Sequence, residues 1–391
     1  MSNSKPDLSK LSPQTRLILA AREFSQHGTV APPVYHASTY IFPTLEAFFS
    51  PSKTYSYGRR GTPTSRAFES AVAMLEGGHA AKTAPSGLAA CGSALLAFLQ
   101  AGDHLLMTDS VYGPVRHLCD TLLKGLGIET TYYDPLLGAG IEALIRPNTK
   151  VVYCECPGSQ TLEVQDLPAI SGLAHQHNCI VMIDNTWSAG LYFNAFAHGA
   201  DVSIQAATKY ICGHADIMLG TVTCNAQHWP QFREAFETLG QFAGPDDMAL
   251  ALRGLRTLDV RLRRHMENAL TVGRWLARHD SVAEVIYPAL PGSRGHALWK
   301  RDFTGASGLM SIILKPATRA QLAAMVDGMD IFALGESWGG FESLIVPFKP
   351  HRTATVWEDS GPCLRLHIGL ESPDDLIADL ADGLARLKSA A

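Results

Sequence analysis

The amino-acid sequence predicts an α/β protein in which a large, mostly parallel sheet is followed by a smaller α/β domain. Nearly continuous apolar runs alternate with helical segments from Thr64 to about residue 224, which is typical of parallel strands buried on both faces. Near Gly254 this pattern gives way to a long amphipathic helix, Leu258 to His279. Hydrophobic residues make up 46% of the chain and charged residues 18%, so a large core is available.

We therefore expect three parts: an N-terminal arm over 1–61, a sheet domain over 62–254 and a C-terminal α/β domain over 255–391. The arm has prolines that interrupt any helix, and aromatic residues without an obvious core of their own. We expect residues 1 to about 60 to be irregular and to lie over another surface, such as a neighbouring subunit.

In the sheet domain, short apolar runs predict strands, and longer apolar or amphipathic runs predict the helices between them. The predicted strands are His104 to Thr108, Val151 to Glu155, Cys179 to Ile183, Val202 to Gln205 and Gly220 to Cys224. The predicted helices are Ala67 to Leu75, Gly87 to Leu99, Val115 to Leu126 and Pro168 to His177. After the long helix we predict strands Leu309 to Leu314 and Cys363 to Ile368, a helix near Gln321, a glycine-rich loop Gly335 to Gly340 and a last helix from Pro373.

The charge balance and the cysteines argue against several classes of protein. A net charge of −5 without a lysine/arginine tract makes nucleic acid and anionic membrane poor partners. No apolar run approaches the ~20 residues of a membrane span. The polar start, Met1 to Lys10, has no apolar signal segment. Eight scattered cysteines in a chain too large to need disulfides predict reduced thiols and a cytoplasmic location.

One lysine and one aspartate stand at the ends of two predicted strands. Lys209 follows the run that begins at Ser203, and Asp184 ends the run that begins at Val181. Ligands of an open parallel sheet bind beyond the carboxyl ends of its strands, so we expect these side chains to meet. Pyridoxal phosphate requires a lysine that binds its aldehyde and a carboxylate that keeps its ring nitrogen protonated. A solvated lysine and a helix-capping aspartate are the ordinary alternatives, which the apolar surroundings of the pair weaken.

Three further features are suited to such a cofactor. Gly87 and Leu88 open the apolar helix, where free backbone N–H groups bind a phosphate, although most such turns are only helix caps. Thr208 offers a hydroxyl to the same group. Tyr112 follows the strand that ends at Thr108 and is placed to stack on a planar ring, with ordinary loop packing as an equal alternative.

Two arginines are candidates for binding an anion. Arg59 lies with Tyr57 in a loop of glycines and tyrosines, and arginine suits bidentate contact with phosphate or carboxylate; a solvated turn is the alternative. Arg365 is a charge inside a predicted strand, where it is either a clamp for a substrate carboxylate or half of a salt bridge.

Three other sequence patterns give only weak evidence for a metal or dinucleotide site. His175 and His177 do not share a helix face, and Cys154 and Cys156 lack a second pair at zinc spacing, so we expect no metal site. The run from Gly138 to Ala143 matches the loose dinucleotide pattern GxGxxA, but Pro135 interrupts the step from the preceding strand. A nicotinamide-dependent oxidoreductase is therefore a distant alternative.

Several segments together resemble the Cys/Met-metabolism enzymes that use pyridoxal phosphate, a family of cystathionine lyases, cystathionine γ-synthase and methionine γ-lyase. The resemblance runs from about Gly28 to the C-terminal helix, and its segments are Ala31 to Tyr40, Tyr57 to Thr64, Leu75 to Gly78, Val181 to Thr186, Ala207 to Tyr210 and Ser337 to Ser343. The segments around Lys209 and Trp338 look most like the bacterial cystathionine β-lyase branch, because the γ-acting enzymes more often have leucine where Trp338 stands. Ala206 is a departure: many members have serine there, so one hydroxyl contact to the phosphate is missing or replaced by backbone.

The resemblance implies a role for each matching residue. Lys209 looks like the lysine that carries the cofactor and moves protons, with Asp184 at the ring nitrogen and Tyr112 stacked on the ring. The implied phosphate contacts are the amides of Gly87 and Leu88, the hydroxyl of Thr208, and Tyr57 and Arg59 acting on the neighbouring subunit's phosphate. The implied substrate contacts are Arg365, as the α-carboxylate clamp, and the wall formed by Ser337 and Trp338.

The resemblance also implies the aspartate-aminotransferase-like fold type I of PLP-dependent transferases, and a homotetramer of dimers with shared active sites. The implied activity is that of a carbon–sulfur lyase which cleaves L-cystathionine by β-elimination to homocysteine, pyruvate and ammonia, in methionine biosynthesis. The alternatives within the family are a γ-lyase or γ-synthase and a cysteine desulfhydrase. A cofactor-free or regulatory binding protein on this fold is a further alternative, against which an intact Lys209 argues.

Overall fold

A seven-stranded sheet is the largest element of the computed structural model, which describes residues 7–358 and 361–389. Its strands are β1 (Ala80–Ala84), β2 (His104–Thr108), β3 (Glu129–Tyr133), β4 (Thr149–Glu155), β5 (Ile180–Asp184), β6 (Val202–Gln205) and β7 (Gly220–Cys224). They lie in the order β1-β7-β6-β5-β4-β2-β3; β7 is antiparallel to both of its neighbours, and the other pairs are parallel. The predicted mostly parallel sheet is confirmed.

The arm is less irregular than predicted, because it contains two short helices, α1 (Pro13–Leu19) and α2 (Leu45–Phe49). The side chain of Thr44 accepts a hydrogen bond from the Ala47 amide at 3.1 Å and so caps α2. Pro13 stands in the first turn of α1, where its missing N–H costs nothing. The prediction that residues 1 to about 60 are irregular was therefore wrong in part, although neither α1 nor α2 contains Pro32, Pro33, Pro43 or Pro51. Residues 1–6 of the predicted arm, and 359–360 and 390–391 of the predicted C-terminal domain, lie outside the described residues.

Helices cover both faces of the large sheet. They are α3 (Pro63–Glu76), α4 (Gly87–Phe98), α5 (Gly113–Leu118), α6 (Leu167–Gln176), α7 (Trp229–Thr238) and α8 (Pro245–Arg256). In β4, Val151 and Tyr153 belong to the core on one face, while Val152 and Cys154 belong to the core on the other. This alternation follows from the two-residue period of a strand and explains why the parallel strands read as continuous apolar runs.

A smaller sheet follows, as the sequence predicted. Its strands are β8 (Val282–Ile286), β9 (Leu309–Leu314), β10 (Ala333–Leu334), β11 (Leu344–Phe348) and β12 (Cys363–His367), in the order β10-β11-β12-β9-β8. The accompanying helices are α9 (Leu258–Leu276), α10 (His296–Asp302), α11 (Arg319–Val326) and α12 (Pro373–Ser389). The domain boundaries after residues 61 and 254 stay predictions. Over the two described ranges, none of the helices has both the length and the apolar character needed to cross a bilayer.

One continuous core joins the two sheets. Trp187, just after β5, donates from Nε1 to the carbonyl of Leu309 at 3.1 Å, and its ring packs against Phe303 and Tyr287. The start of β9 therefore lies against the carboxyl end of β5. This contact brings the loop before β11 and the middle of β12 to the edge of the large sheet where Lys209 and Asp184 lie.

Candidate active site

Lys209 lies in the turn that follows β6, among residues from both sheets. Its Nζ donates to Ser337 Oγ at 2.9 Å and lies 5.3 Å from the centre of the Trp338 ring. Burial and, to a lesser extent, the charge of Arg365 lower the pKa of Lys209, Asp184 opposes them, and the net result is a pKa of about 8. The amine is therefore far closer to neutrality at physiological pH than an ordinary lysine.

Asp184 ends β5 and is linked by hydrogen bonds through Thr186 to the turn that carries Lys209, which we call the lysine turn. Its Oδ1 accepts from the amide of Thr186 at 3.0 Å and from the Thr186 hydroxyl at 2.5 Å. That hydroxyl in turn accepts from the amide of Ala206 at 2.9 Å, three residues before Lys209. Burial raises the pKa of Asp184, while Thr186 and Lys209 lower it, so a cation placed beside the carboxyl would favour its charged form.

Glu155 is a second carboxyl at the same edge, and we did not expect it from the sequence. Its Cα is the ladder partner of Asp184 on the adjacent strand, and its Oε2 accepts from the amide of Tyr112 at 2.7 Å. Burial, followed by the charge of Asp184, raises the pKa of Glu155 well above its usual value. The side chain of Tyr112 is 46% exposed at the start of α5, so the ring is free to stack on a ligand.

The start of α4 lies directly against the lysine turn. Ser86 caps this helix by accepting from the amide of Ala89 at 3.1 Å, and the amides of Gly87 and Leu88 belong to the first turn, where a helix supplies no acceptor. A Cβ on Gly87 would lie 2.7 Å from the Cβ of Ala206, so only glycine allows this approach. The hydroxyl of Thr208 donates to the Leu219 carbonyl at 3.0 Å, and its role at a phosphate stays a prediction.

Arg365 reaches the same pocket from the middle of β12. Its Nη2 donates to the carbonyls of Glu336 and Ser337, the latter at 3.2 Å. Burial lowers the pKa of the guanidinium, and the charge of Glu336 opposes that effect. Its hydrogen-bond partners are backbone carbonyls rather than a carboxylate, and a bound carboxylate would complete the pairing that this charge requires.

A segment between β11 and β12 closes over the loop that carries Tyr112. Asp109, buried, accepts from the consecutive amides of Thr353, Ala354 and Thr355 at 2.9 to 3.1 Å and from Arg116 at 2.6 Å. Burial pushes the pKa of Asp109 up, but these bonds hold it below its usual value. The smaller sheet is thus bonded to the large one three residues before Tyr112.

Tyr57 and Arg59 lie apart from this pocket within one chain. Arg59 Nη1 donates to the carbonyl of Glu237 at 2.6 Å, near the end of α7, and the side chain of Tyr57 is half exposed. Their predicted action on a neighbouring subunit stays a prediction.

The histidine pair and the GxGxxA run, which gave weak evidence in the sequence, lie outside the site around Lys209. His175 pairs with Asp201 at 2.9 Å and His177 with Glu142 at 3.5 Å. Within 7–358 and 361–389 no group of three or more histidine, cysteine or acidic side chains is arranged to hold a metal ion. The GxGxxA run forms a short 3-10 helix, Gly138–Leu144, instead of the start of a long helix that follows a strand directly.

The residues around Lys209 fit pyridoxal phosphate. The lysine has a lowered pKa, a carboxyl lies at the adjacent strand end, and an aromatic ring is exposed beside them. The glycine-lined start of α4 is suited to the phosphate group.

Comparison with known proteins gives a consistent picture. A family model described as Cys/Met metabolism PLP-dependent enzyme matches residues 14–385. The chain is 46% identical over 387 residues to the cystathionine beta-lyase of Salmonella typhimurium and to cystathionine beta-lyase MetC of Escherichia coli, covering 95% of this chain and 98% of each relative. The crystal structure of cystathionine gamma synthase from Xanthomonas oryzae pv. oryzae in complex with cystathionine has a TM-score of 0.89 and 33% identity, and the match covers 97% of this chain and all of that one.

Proposed function

Because the chain belongs to the Cys/Met metabolism PLP-dependent enzymes, we propose that it is a carbon–sulfur lyase that cleaves L-cystathionine by β-elimination. The products are homocysteine, pyruvate and ammonia, and the reaction serves methionine biosynthesis. The expected fold type I and the pyridoxal phosphate cofactor are confirmed by the family match and by the solved relative.

The position of Trp338 is the observation that favours β-elimination over γ-elimination. Its ring lies 5.3 Å from Lys209 Nζ and packs at 5.5 Å against Tyr210. Elimination at Cβ needs one proton removed, at Cα, whereas elimination at Cγ needs a second proton removed at Cβ. A large ring held beside the amine restricts the reach of Lys209 and favours the shorter chemistry.

The side chains divide the reaction between them. Pyridoxal phosphate, when bound, supplies an electron sink that makes the substrate Cα proton acidic. Lys209 Nζ, with its lowered pKa, accepts that proton as a general base, and the Cβ–S bond then breaks with the electron pair leaving on the homocysteine thiolate. The released three-carbon enamine is hydrolysed by water to pyruvate and ammonia. Arg365 holds the substrate α-carboxylate beside Ser337, which fixes the Cα–H bond within reach of Nζ.

We place the remaining cofactor contacts on Asp184 at the ring nitrogen, Tyr112 on the ring face, and Gly87, Leu88 and Thr208 at the phosphate. Tyr57 and Arg59 act on the phosphate of a neighbouring subunit in a cytoplasmic homotetramer built from dimers. Support for an assembly comes from exposed apolar side chains of the arm, such as Ile41, which is 94% exposed.

Identification of the products from L-cystathionine tests this function. We expect homocysteine and pyruvate in equal amounts. Cysteine with 2-oxobutyrate as the main products would assign the chain to γ-elimination, the alternative that the cystathionine gamma-lyase of Lactobacillus plantarum represents. Turnover of a nicotinamide cofactor without a yellow chromophore would overturn the proposed lyase activity.

A further inference from the structure

We propose that Gly339 is a positioning residue that sets the distance between Lys209 and the substrate wall formed by Ser337 and Trp338. The inference rests on the proposed lyase function and adds to it a residue that touches neither substrate nor cofactor. It follows from a backbone contact that only glycine permits.

The contact joins two loops from different sheets. A Cβ on Gly339 would lie 2.8 Å from the carbonyl carbon of Lys209, 2.8 Å from the amide nitrogen of Tyr210 and 2.9 Å from the Cα of Lys209. All three are backbone atoms, so no side chain can turn aside to make room. Gly339 also has a φ of +86°, a conformation that other L-residues adopt at a cost.

The residues just before Gly339 make every contact that the proposed wall needs. Ser337 Oγ accepts from Lys209 Nζ at 2.9 Å, and the Trp338 ring lies 5.3 Å from the same atom. On the other side, Arg365 donates to the carbonyl of Ser337 at 3.2 Å. The loop is thus fixed between the proton-carrying lysine and the carboxylate clamp, and Gly339 lies where the loop meets the lysine backbone.

A side chain at position 339 would push this loop away from the lysine turn. Ser337 and Trp338 would move with it, and Arg365 would lose the carbonyl that orients its guanidinium. The substrate would then be held out of line with Lys209 Nζ, while Asp184, Thr186 and the start of α4 would stay in place. We therefore expect loss of catalytic efficiency with retention of the cofactor.

Two substitutions at Gly339, compared with the same substitutions at a control glycine, separate the effect of the Cβ contact from the effect of backbone strain. Gly339→Ala adds a Cβ and an unfavourable φ, whereas Gly339→Asn adds a Cβ with a side chain that tolerates positive φ better. Gly292 is a matched control, because its φ is +88° and a Cβ there would have no atom within 4 Å. Gly292→Ala and Gly292→Asn therefore reproduce the strain without the contact.

For each variant, the holoenzyme gives the cofactor absorbance, the thermal stability, and KM and kcat for L-cystathionine. Cofactor-free protein gives the pH dependence of Lys209 acetylation, which reports the pKa of the amine. Both Gly339 variants should keep the lysine-bound chromophore and lose kcat/KM by roughly 10²-fold, the scale expected of a misplacement of about 1 Å. Their Lys209 should titrate at higher pH than in the wild type, because a displaced wall admits water. Asp184, Arg365 and His367, which also interact electrostatically with this amine, are present in all of these variants.

Several results would overturn the proposal. Equal kcat/KM and equal Lys209 titration in Gly339→Asn and Gly292→Asn would show that the contact does not position the wall. Failure of Gly339→Asn to fold while Gly292→Asn folds would assign Gly339 to stability alone. Absence of lyase activity in the wild type would refute the proposed function instead, and the acetylation profile would still report on Gly339.

Discussion

At the scale of single residues, the pKa of the Lys209 amine is controlled by burial and by two charged neighbours, Arg365 and Asp184. Burial and Arg365 lower its pKa to about 8, and Asp184 opposes them. The same Arg365 is the proposed carboxylate clamp, so one guanidinium affects both substrate binding and the state of the base.

Covalent labelling tests the identity of the cofactor lysine. Borohydride reduction of the yellow holoenzyme should fix the cofactor on Lys209, because this is the lysine that the structure places beside the Asp184 strand end. Peptide mass mapping identifies the labelled residue. A cofactor found on any other lysine would refute the site.

Replacement of Arg365 tests the clamp. Arg365→Leu should raise KM strongly, at a cost of about 1.5–3 kcal/mol for a lost charged hydrogen bond, while the cofactor absorbance stays intact. In cofactor-free protein the Lys209 pKa should rise above about 8, because a neighbouring positive charge is removed.

The matched control for this variant is Arg294→Leu, which removes an arginine from a surface pair with Glu284. Arg294→Leu should leave KM unchanged. Loss of bound cofactor in Arg365→Leu, in place of a KM effect, would assign Arg365 to the phosphate.

The sequence predicted the chemically reactive residues Lys209 and Asp184, but not the residues Thr186, Glu155 and Gly339 that contact or position the site. Lys209 and Asp184 stand out because their strand-end positions are visible in the sequence, and the structure brings them together, although their roles stay predictions. Thr186 belongs to one of the segments that resemble the family, and the pattern Asp-x-Thr itself predicts a turn in which the threonine hydroxyl binds the aspartate. Glu155 depends on the register of β4 against β5, and Gly339 on a contact between loops 130 residues apart (339 − 209), so neither has a local signature.

At the scale of elements, two carboxylates, Asp109 and Glu163, bind the segment between β11 and β12 to the larger domain. Asp109 accepts from three consecutive amides and from Arg116, and Arg352 pairs with Glu163 at 2.6 Å in the same segment. The bonds to Asp109 connect the smaller sheet to the Tyr112 loop through polar contacts.

Removal of Asp109 should destabilise the protein. Asp109→Ala leaves Arg116 without its buried partner, and breaking a buried pair in this way costs about 3–5 kcal/mol. Urea unfolding measures the loss, with Asp382→Ala on the exposed side of α12 as the control. A change as small as that of the control would contradict the assigned role.

The pH dependence of the same variant has a definite sign. The pKa of Asp109 is held below its usual value in the folded state, so its contribution to the free energy of unfolding is present above the unfolded pKa. That contribution is lost as pH falls through the lowered pKa. The difference in stability between wild type and Asp109→Ala should therefore shrink in acid.

Of the five strands that sequence analysis missed, β1, β3, β8 and β10 lie at sheet edges, and only β11 is internal. β1 and β3 contain alanine, lysine, threonine and glutamate, and each pairs on one side only, so they lack a continuous apolar run. β11 contains Pro347, which argues against a strand, but β10 pairs only with Leu344 and Ile345 of β11. Pro347 therefore needs no N–H on that side. The central strands were predicted because burial on both faces dictates their composition.

At the scale of the whole molecule, the arm carries exposed apolar side chains that a single chain does not cover. Val30, Ile41, Leu45 and Phe49 are each at least 70% exposed. A neighbouring subunit is the occupant that the proposed function requires, since Arg59 would act there.

Mixing of inactive variants tests this arrangement. Lys209→Ala and Arg59→Ala should each be nearly inactive, and co-refolding should restore part of the activity, because some mixed sites contain both intact residues. Activity and oligomer composition are measured on the same sample. Mixed oligomers without recovered activity would show that Arg59 does not act across a subunit boundary.

The core that joins the two sheets also constrains when the protein can mature. The ribosome releases Lys209, Asp184 and the whole seven-stranded sheet before Trp338 and Arg365 have been synthesised. Until the later segments arrive, Trp187 lacks the contacts with Tyr287, Phe303 and Leu309, and exposed apolar surface of this kind favours chaperone binding. We therefore expect cofactor loading after translation ends, and chains shortened by premature stop codons to be degraded before they accumulate as cofactor-binding fragments.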